Sequence, residues 1–216
     1  MPNRFEMRKL FGFALAILMF SSCNGIFSGI YDKPVEAADP FGFVEANADG
    51  TGTIFIDSRE YKHWVYIDLK GKKTETHDMT EGLPEPEHWD FAVHRYDVKT
   101  NDAKAAVTNY TELSQVLNQG IPESAVFVAD TASQVAVDMS GMMEGNIVYQ
   151  SSPINKVLSK WINVDTSTMP PIYTMSRRVY LLRLADGTQA ALLFSDFIDD
   201  AGVKGFITIK YVYPLK

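Results

Sequence analysis

Short runs with a period of two recur along most of this chain, and hardly any stretch carries a helical period. Residues 53–57, 63–69, 89–98, 125–129, 135–139 and 146–150 are rich in β-branched and aromatic side chains, which suit a pleated surface. Residues 157–164 and 172–175 extend the series, and three stronger runs, 178–184, 189–196 and 205–213, close it. In the last run Ile207, Ile209, Tyr211 and Tyr213 share one face, with Phe206, Thr208, Lys210 and Val212 on the other. Asp186-Gly187 lies between two runs and is expected to supply the positive φ angles of a type I′ hairpin turn. One short helix is expected over residues 110–118, with Thr111 as its cap. The pattern predicts an all-β fold, an antiparallel sandwich or barrel-like single domain with little helix.

The first residues bear on the compartment. Arg4, Arg8 and Lys9 precede an apolar run over residues 10–20 that ends at Ser21-Ser22-Cys23. That order is expected of a signal peptide over residues 1–22, and the run is shorter than the about 20 residues a spanning helix needs. Cys23 is the only cysteine, so no intramolecular disulfide forms. Phe20-Ser21-Ser22-Cys23 resembles the lipobox of bacterial lipoproteins, with Phe20 where Leu is more usual; lipidation of Cys23 and a membrane held through that anchor are the expectation. Residues 23–49 read as a lipid-anchored tether and 50–216 as the folded domain. Loss of residues 1–22 would take three of the 20 basic residues and one of the 27 acidic ones, moving the net charge from −7 to −9. An acidic surface of this kind argues against nucleic acid as a partner.

Catalytic signatures are scarce. The chain has no G-x-S-x-G elbow, P-loop, H-E-x-x-H or dinucleotide-binding glycine pattern, so no enzymatic activity is expected. Asp196, Asp199 and Asp200 read as a solvated turn rather than a cation site. His63, His77, His88 and His94 form no close ligand pair. His94 reads as a hydrogen-bonded structural residue, placed on one strand with Tyr96 on its side and Trp89 opposite. The methionines are less ordinary. Met139, Met142, Met143 and Met169 fall in expected loops or loop edges, among Ser140-Gly141 and Glu144-Gly145 in one segment and before Pro170-Pro171 in the other. A thioether in a loop is either an adaptable hydrophobe or a soft ligand for copper(I) or haem iron. The residues alone leave both readings open.

The segment Trp89-Asp90-Phe91-Ala92-Val93-His94-Arg95-Tyr96-Asp97-Val98 is similar to the W-D-x-A-x-H-R-Y-D-V segment of HmuY-type haem-binding lipoproteins. Ser176-Arg177-Arg178-Val179-Tyr180, Ala185-Asp186-Gly187, Phe194-Ser195-Asp196-Phe197, Lys204-Gly205-Phe206-Ile207-Thr208 and Tyr211-Val212-Tyr213-Pro214 follow in the family's order, so the resemblance spans residues 54–216. It implies an all-β domain that captures haem at the outer membrane or cell surface for iron acquisition, beside a TonB-dependent outer-membrane receptor. The best-known branch holds the iron between two loop histidines. Here the second of those loops, between Trp161 and Tyr173, has Thr166 at the matching position and no histidine, and the first, around residues 141–144, has none either. Other members use two methionines, and Met169 with Met142 or Met143 stand in the corresponding loops. Met142, Met143 and Met169 are therefore the expected haem-binding residues, with a preference for reduced haem. Trp161, Tyr173 and Tyr149 are expected around the ligand, and Arg177 near a propionate. The alternative is a domain of the same kind that binds no haem and recognises another ligand or a protein at the cell surface.

Overall fold

The computed structural model describes residues 39–216, so the expected signal peptide, Cys23 and residues 24–38 lie outside the described residues. In chain order the elements are β1 (Gly42–Ala46), β2 (Thr51–Asp57), β3 (His63–Asp68), β4 (Lys73–Asp78), β5 (Phe91–His94), β6 (Asp97–Thr100) and β7 (Lys104–Val107), then helix α1 (Leu113–Gln119). After it come β8 (Val128–Ala129), β9 (Thr131–Gly141), β10 (Asn146–Ile154), β11 (Ile162–Asp165), β12 (Ile172–Met175), β13 (Val179–Arg183), β14 (Gln189–Ile198) and β15 (Lys204–Val212). Every pairing is antiparallel. One sheet has seven strands in the order β1-β2-β15-β14-β13-β7-β8 and a second has four, β4-β3-β5-β6; β9-β10 and β11-β12 are two-stranded ribbons. This is the all-β sandwich that the period-two pattern predicts.

The alternation along single strands builds the layers. In β3, Val65 and Ile67 face the main core while Trp64 and Tyr66 face the other way. The main core lies between the two sheets. It gathers Ile54, Ile56, Leu182, Leu192, Phe194, Ile207, Ile209 and Tyr211 from the larger sheet against Val65, Ile67, Phe91, Val93 and Val98 from the smaller. The expected split of the last strand holds, with Val212 on the outer face, where Ala106, Val179, Leu181 and Ala191 receive Val116 of α1. On the outer face of the smaller sheet, Trp64, Tyr66, Trp89 and Ala92 receive Val135 and Val137 of β9 and Ile154 of β10. The β9-β10 ribbon is thus an added layer seated on the sandwich.

Several local readings change. The run 89–98 is a tight hairpin, not one strand: Arg95 takes φ +51° between β5 and β6. Its guanidinium bonds the carbonyls of Ser58 (3.0 Å) and Arg59 (2.8 Å) and stacks on Tyr61, contacts that hold a left-handed residue in place without glycine. Trp89 and His94 consequently lie on the same side, Trp89 edge-on to Tyr66 and His94 against Trp64, while Tyr96 turns to the main core. Asp186-Gly187 does close a hairpin, but only Gly187 has positive φ (+86°) and its N–H bonds Leu184 O at 3.0 Å. That is a type I turn followed by a left-handed glycine rather than type I′. Helix α1 starts from Glu112 rather than Thr111, because the Gln115 side chain accepts from both backbone amides, at 2.8 and 3.1 Å. Residues 158–161 form a 3-10 turn instead of continuing a strand, since Asn155 Oδ1 accepts from the amides of Val157 (3.1 Å) and Leu158 (3.0 Å). Strand β1 falls inside the segment that reads as tether, so the packed domain begins before residue 50.

Candidate functional site

The β9-β10 ribbon is anchored at one end only. Val135, Val137, Ser152 and Ile154 are buried, and no residue from Asp138 round to Ser151 is. Register shifts around Val148 twist the free half. Its tip is a 3-10 turn, Met142–Glu144, closed by Gly145 (φ +77°), whose N–H bonds Met142 O at 3.1 Å. A Cβ on Gly141 would stand 2.6 Å from Asn146 O, so the turn needs glycine there. Met142 is 48% exposed and Met143 87% exposed. Met139 belongs to β9 and is half-buried, not a loop residue.

The β11-β12 ribbon is anchored in the main core. The 3-10 turn at Leu158–Trp161 seats Trp161 with no exposure, its indole N–H donating to Tyr96 O (3.0 Å) and its ring stacked on Phe194 at 4.7 Å. Trp161 is therefore a core residue and cannot line an open site as its sequence position suggests. Above it Tyr173 packs edge-on to Tyr96 (5.7 Å) and stacks on Phe197 (5.5 Å), with Lys204 Nζ 4.1 Å over its ring. Burial pushes the Tyr96 phenol well above its ordinary pKa, with the neighbouring Tyr173 adding to the effect. The free end, residues 166–170, is exposed, and Met169 is 84% exposed.

Both ribbon ends thus raise thioethers into solvent on a backbone held from below. Six of the thirteen large apolar side chains exposed among the described residues lie on these two ribbons: Met142, Met143, Val148, Tyr149, Met169 and Ile172. Each ribbon thus carries a local group of exposed apolar side chains, four on β9-β10 and two on β11-β12. The structure brings Met142 and Met143 to one tip and Met169 to the other, and none of the three joins a core cluster. Two carboxylates near the tips are held below their usual pKa, Asp138 by the Ser140 backbone N–H and hydroxyl, and Asp165 by the Ser167 hydroxyl and backbone N–H.

Other candidates settle elsewhere. His94 is buried with Nε2 2.7 Å from Tyr61 O, the structural role expected of it. His77 meets Glu75 at 2.8 Å, and His63 packs on Phe41. Among the described residues no group of three or more His, Cys, Asp or Glu could hold a metal ion; the tips carry the thioethers of Met142, Met143 and Met169, with the Glu144 carboxylate in the same turn as the first two. Asp199 accepts from Ala201 N and Val203 N in a turn, as the sequence suggests. Arg177 is exposed with φ +51° just beyond β12. A cleft of about 460 Å³ opens at the β1-β2-β15 edge, bordered by Phe41, Phe43, Phe55 and Phe206 with Asp57 and Asp199, and no ribbon residue lines it. The Tyr96-Tyr173-Phe197-Lys204 platform is not visible in the sequence, because separate turns bring those positions together. Among the described residues no helix is long and apolar enough to cross a membrane.

The family model described as HmuY protein matches residues 60–211. A protein from Bacteroides vulgatus ATCC 8482 described as HmuY-like and heme-binding is 44% identical, with a TM-score of 0.77 over 82% of this chain and 99% of that one. A protein from Bacteroides fragilis NCTC 9343 described as a lipoprotein is 43% identical, with a TM-score of 0.76 over 82% of this chain and 96% of that one. The apo HmuY analogue of Tannerella forsythia, TFO, is 25% identical, with a TM-score of 0.63 over 79% of this chain and 95% of that one. No curated protein matches the chain.

Proposed function

The chain belongs to the HmuY family, and from that premise we propose that it is a haem-binding lipoprotein that captures haem at the outer membrane for iron acquisition. Met142 or Met143 from one ribbon and Met169 from the other would hold the iron. The observation that carries this reading is the set of three exposed thioethers, all on the free tips of two ribbons that carry no histidine. A neutral, soft thioether matches ferrous better than ferric iron, so binding is tighter for reduced haem. Tyr149, Val148 and Ile172 adjoin the tips and offer apolar surface, while Lys204 and Arg177 offer cations to the carboxylates of the ligand. A lipid on Cys23 would keep the protein on the membrane, beside a TonB-dependent receptor that takes the cargo.

The test is a haemin titration of the purified protein followed by visible absorbance, without and with dithionite. The expected result is weak binding in the oxidised state and sharp low-spin α and β bands on reduction. No Soret change in either state would remove haem as the ligand. A second reading, recognition of a different ligand, draws on the aromatic cleft at the β1-β2-β15 edge, whose volume lies in the range of small-molecule sites. It requires that Met142, Met143 and Met169 all become alanine without loss of the ligand.

A further inference from the structure

The methionines of the described domain fall into two classes. Met79 packs against the Trp64-Tyr66-Trp89 cluster, Met175 packs against the main core, and Met139 is half-buried on β9. Met143 and Met169 are 87% and 84% exposed, and Met142 48%. Exposure governs which thioethers an oxidant reaches, and oxidation turns a flexible apolar side chain into a polar, chiral sulfoxide that dedicated reductases restore.

We propose that Met143 and Met169, with Met142, form a reversible oxidation site through which peroxides switch off haem retention. The consequence for haem rests on the function proposed above, whereas the selectivity of oxidation does not. In the step, a thioether sulfur lone pair attacks one oxygen of hydrogen peroxide or an organic hydroperoxide. An S–O bond forms and the O–O bond breaks, and the departing oxygen leaves as water or alcohol after proton transfer. The sulfur loses two electrons and the peroxide gains two. The sulfoxide no longer presents the soft sulfur donor, so its match to ferrous iron is lost. The fold is spared, because none of the three side chains contributes to a core cluster. The nearby carboxylates Asp138, Glu144 and Asp165 repel anionic oxidants while leaving neutral peroxide free to approach.

The experiment treats the ligand-free protein with limiting hydrogen peroxide and follows oxygen uptake peptide by peptide by mass spectrometry. Aliquots then receive haemin with dithionite, before and after incubation with the two methionine sulfoxide reductases. The expected result is uptake at Met143 and Met169 ahead of Met79, Met139 and Met175. Ferrous-haem affinity should fall by about tenfold or more, with an unchanged thermal midpoint and recovery after reduction. Uptake that is uniform, or first at the packed methionines, overturns the site. Tip-oxidised protein that binds ferrous haem like the untreated protein overturns the switch. If the untreated protein binds no haem, the function proposed above fails, and the order of uptake alone then decides the oxidation site.

Discussion

Single residues here carry their roles through burial and partners more than through type. Asp90 is the clearest case: burial lifts its carboxyl to about 6, with Asp68 and Asp186 adding to the effect, while Oδ2 accepts the Leu69 N–H at 2.7 Å. A folded value above the ordinary 3.8 means that the folded state holds the proton more tightly than the unfolded chain. That contribution is complete below about pH 4 and is lost as the pH rises through about 6. Asp90→Asn keeps an acceptor for Leu69 and removes the buried charge. Urea unfolding should show it more stable than the parent by roughly 1–2 kcal/mol at about pH 7, with little difference near pH 4. The tip methionines are the opposite kind of residue. Their type and their loops are legible in the sequence, because Gly141, Gly145, Pro170 and Pro171 punctuate them. Arg95 is not legible: no glycine or asparagine announces the left-handed turn, and distant carbonyls hold it there.

At the scale of elements, strands with alternating apolar residues are readable and strands without them are not. Strand β15 follows its pattern face for face. Strand β4, with the sequence KTETHD, has no apolar residue to reveal it and survives as an edge strand paired only to β3. Strand β9 is longer than its apolar part because the ribbon leaves the core after Val137, which is why Met139 lies in a strand and not a loop. Polar contacts at Asn155 add to the apolar seating of the β9-β10 ribbon. Asn155 is fully buried at the end of β10; its Nδ2 reaches Val128 O (3.0 Å) and Asp130 Oδ1 (2.9 Å), and its Oδ1 receives two amides. Asn155→Ala leaves those amides unpartnered and should cost roughly 2–4 kcal/mol in urea unfolding. Gly141→Ala acts at the other end of the same ribbon. The clash with Asn146 should displace Met142 and Met143 and weaken ferrous-haem binding about tenfold or more, while the thermal midpoint, set by the sandwich, moves little. An equal loss of stability and binding would place the tip inside the cooperative core.

For the whole molecule, the sandwich is the base from which the two ribbons rise at different layers, and the proposed function puts the chemistry on the ribbons. One ribbon sits on the outer face of the smaller sheet and the other grows from the core between the sheets. Trp161 marks that division. It lies in sequence beside the expected site, yet it is stacked on Phe194 without exposure, so Trp161→Ala should cost about 3–5 kcal/mol in unfolding through loss of the core. The sheet layering was legible from period two; how the ribbons attach was not, because it depends on contacts between residues far apart in the chain. In the proposed function one iron is held by a thioether from each ribbon, which joins the two layers. The most direct test is the visible spectrum of the reduced haem complex of the parent, Met169→Ala and the Met142→Ala/Met143→Ala double variant. All three methionines lie outside the core clusters, so the variants should fold as the parent does. Sharp low-spin α and β bands are expected in the parent, and their loss in each variant. Identical low-spin spectra in all three proteins would contradict ligation by a thioether from each ribbon.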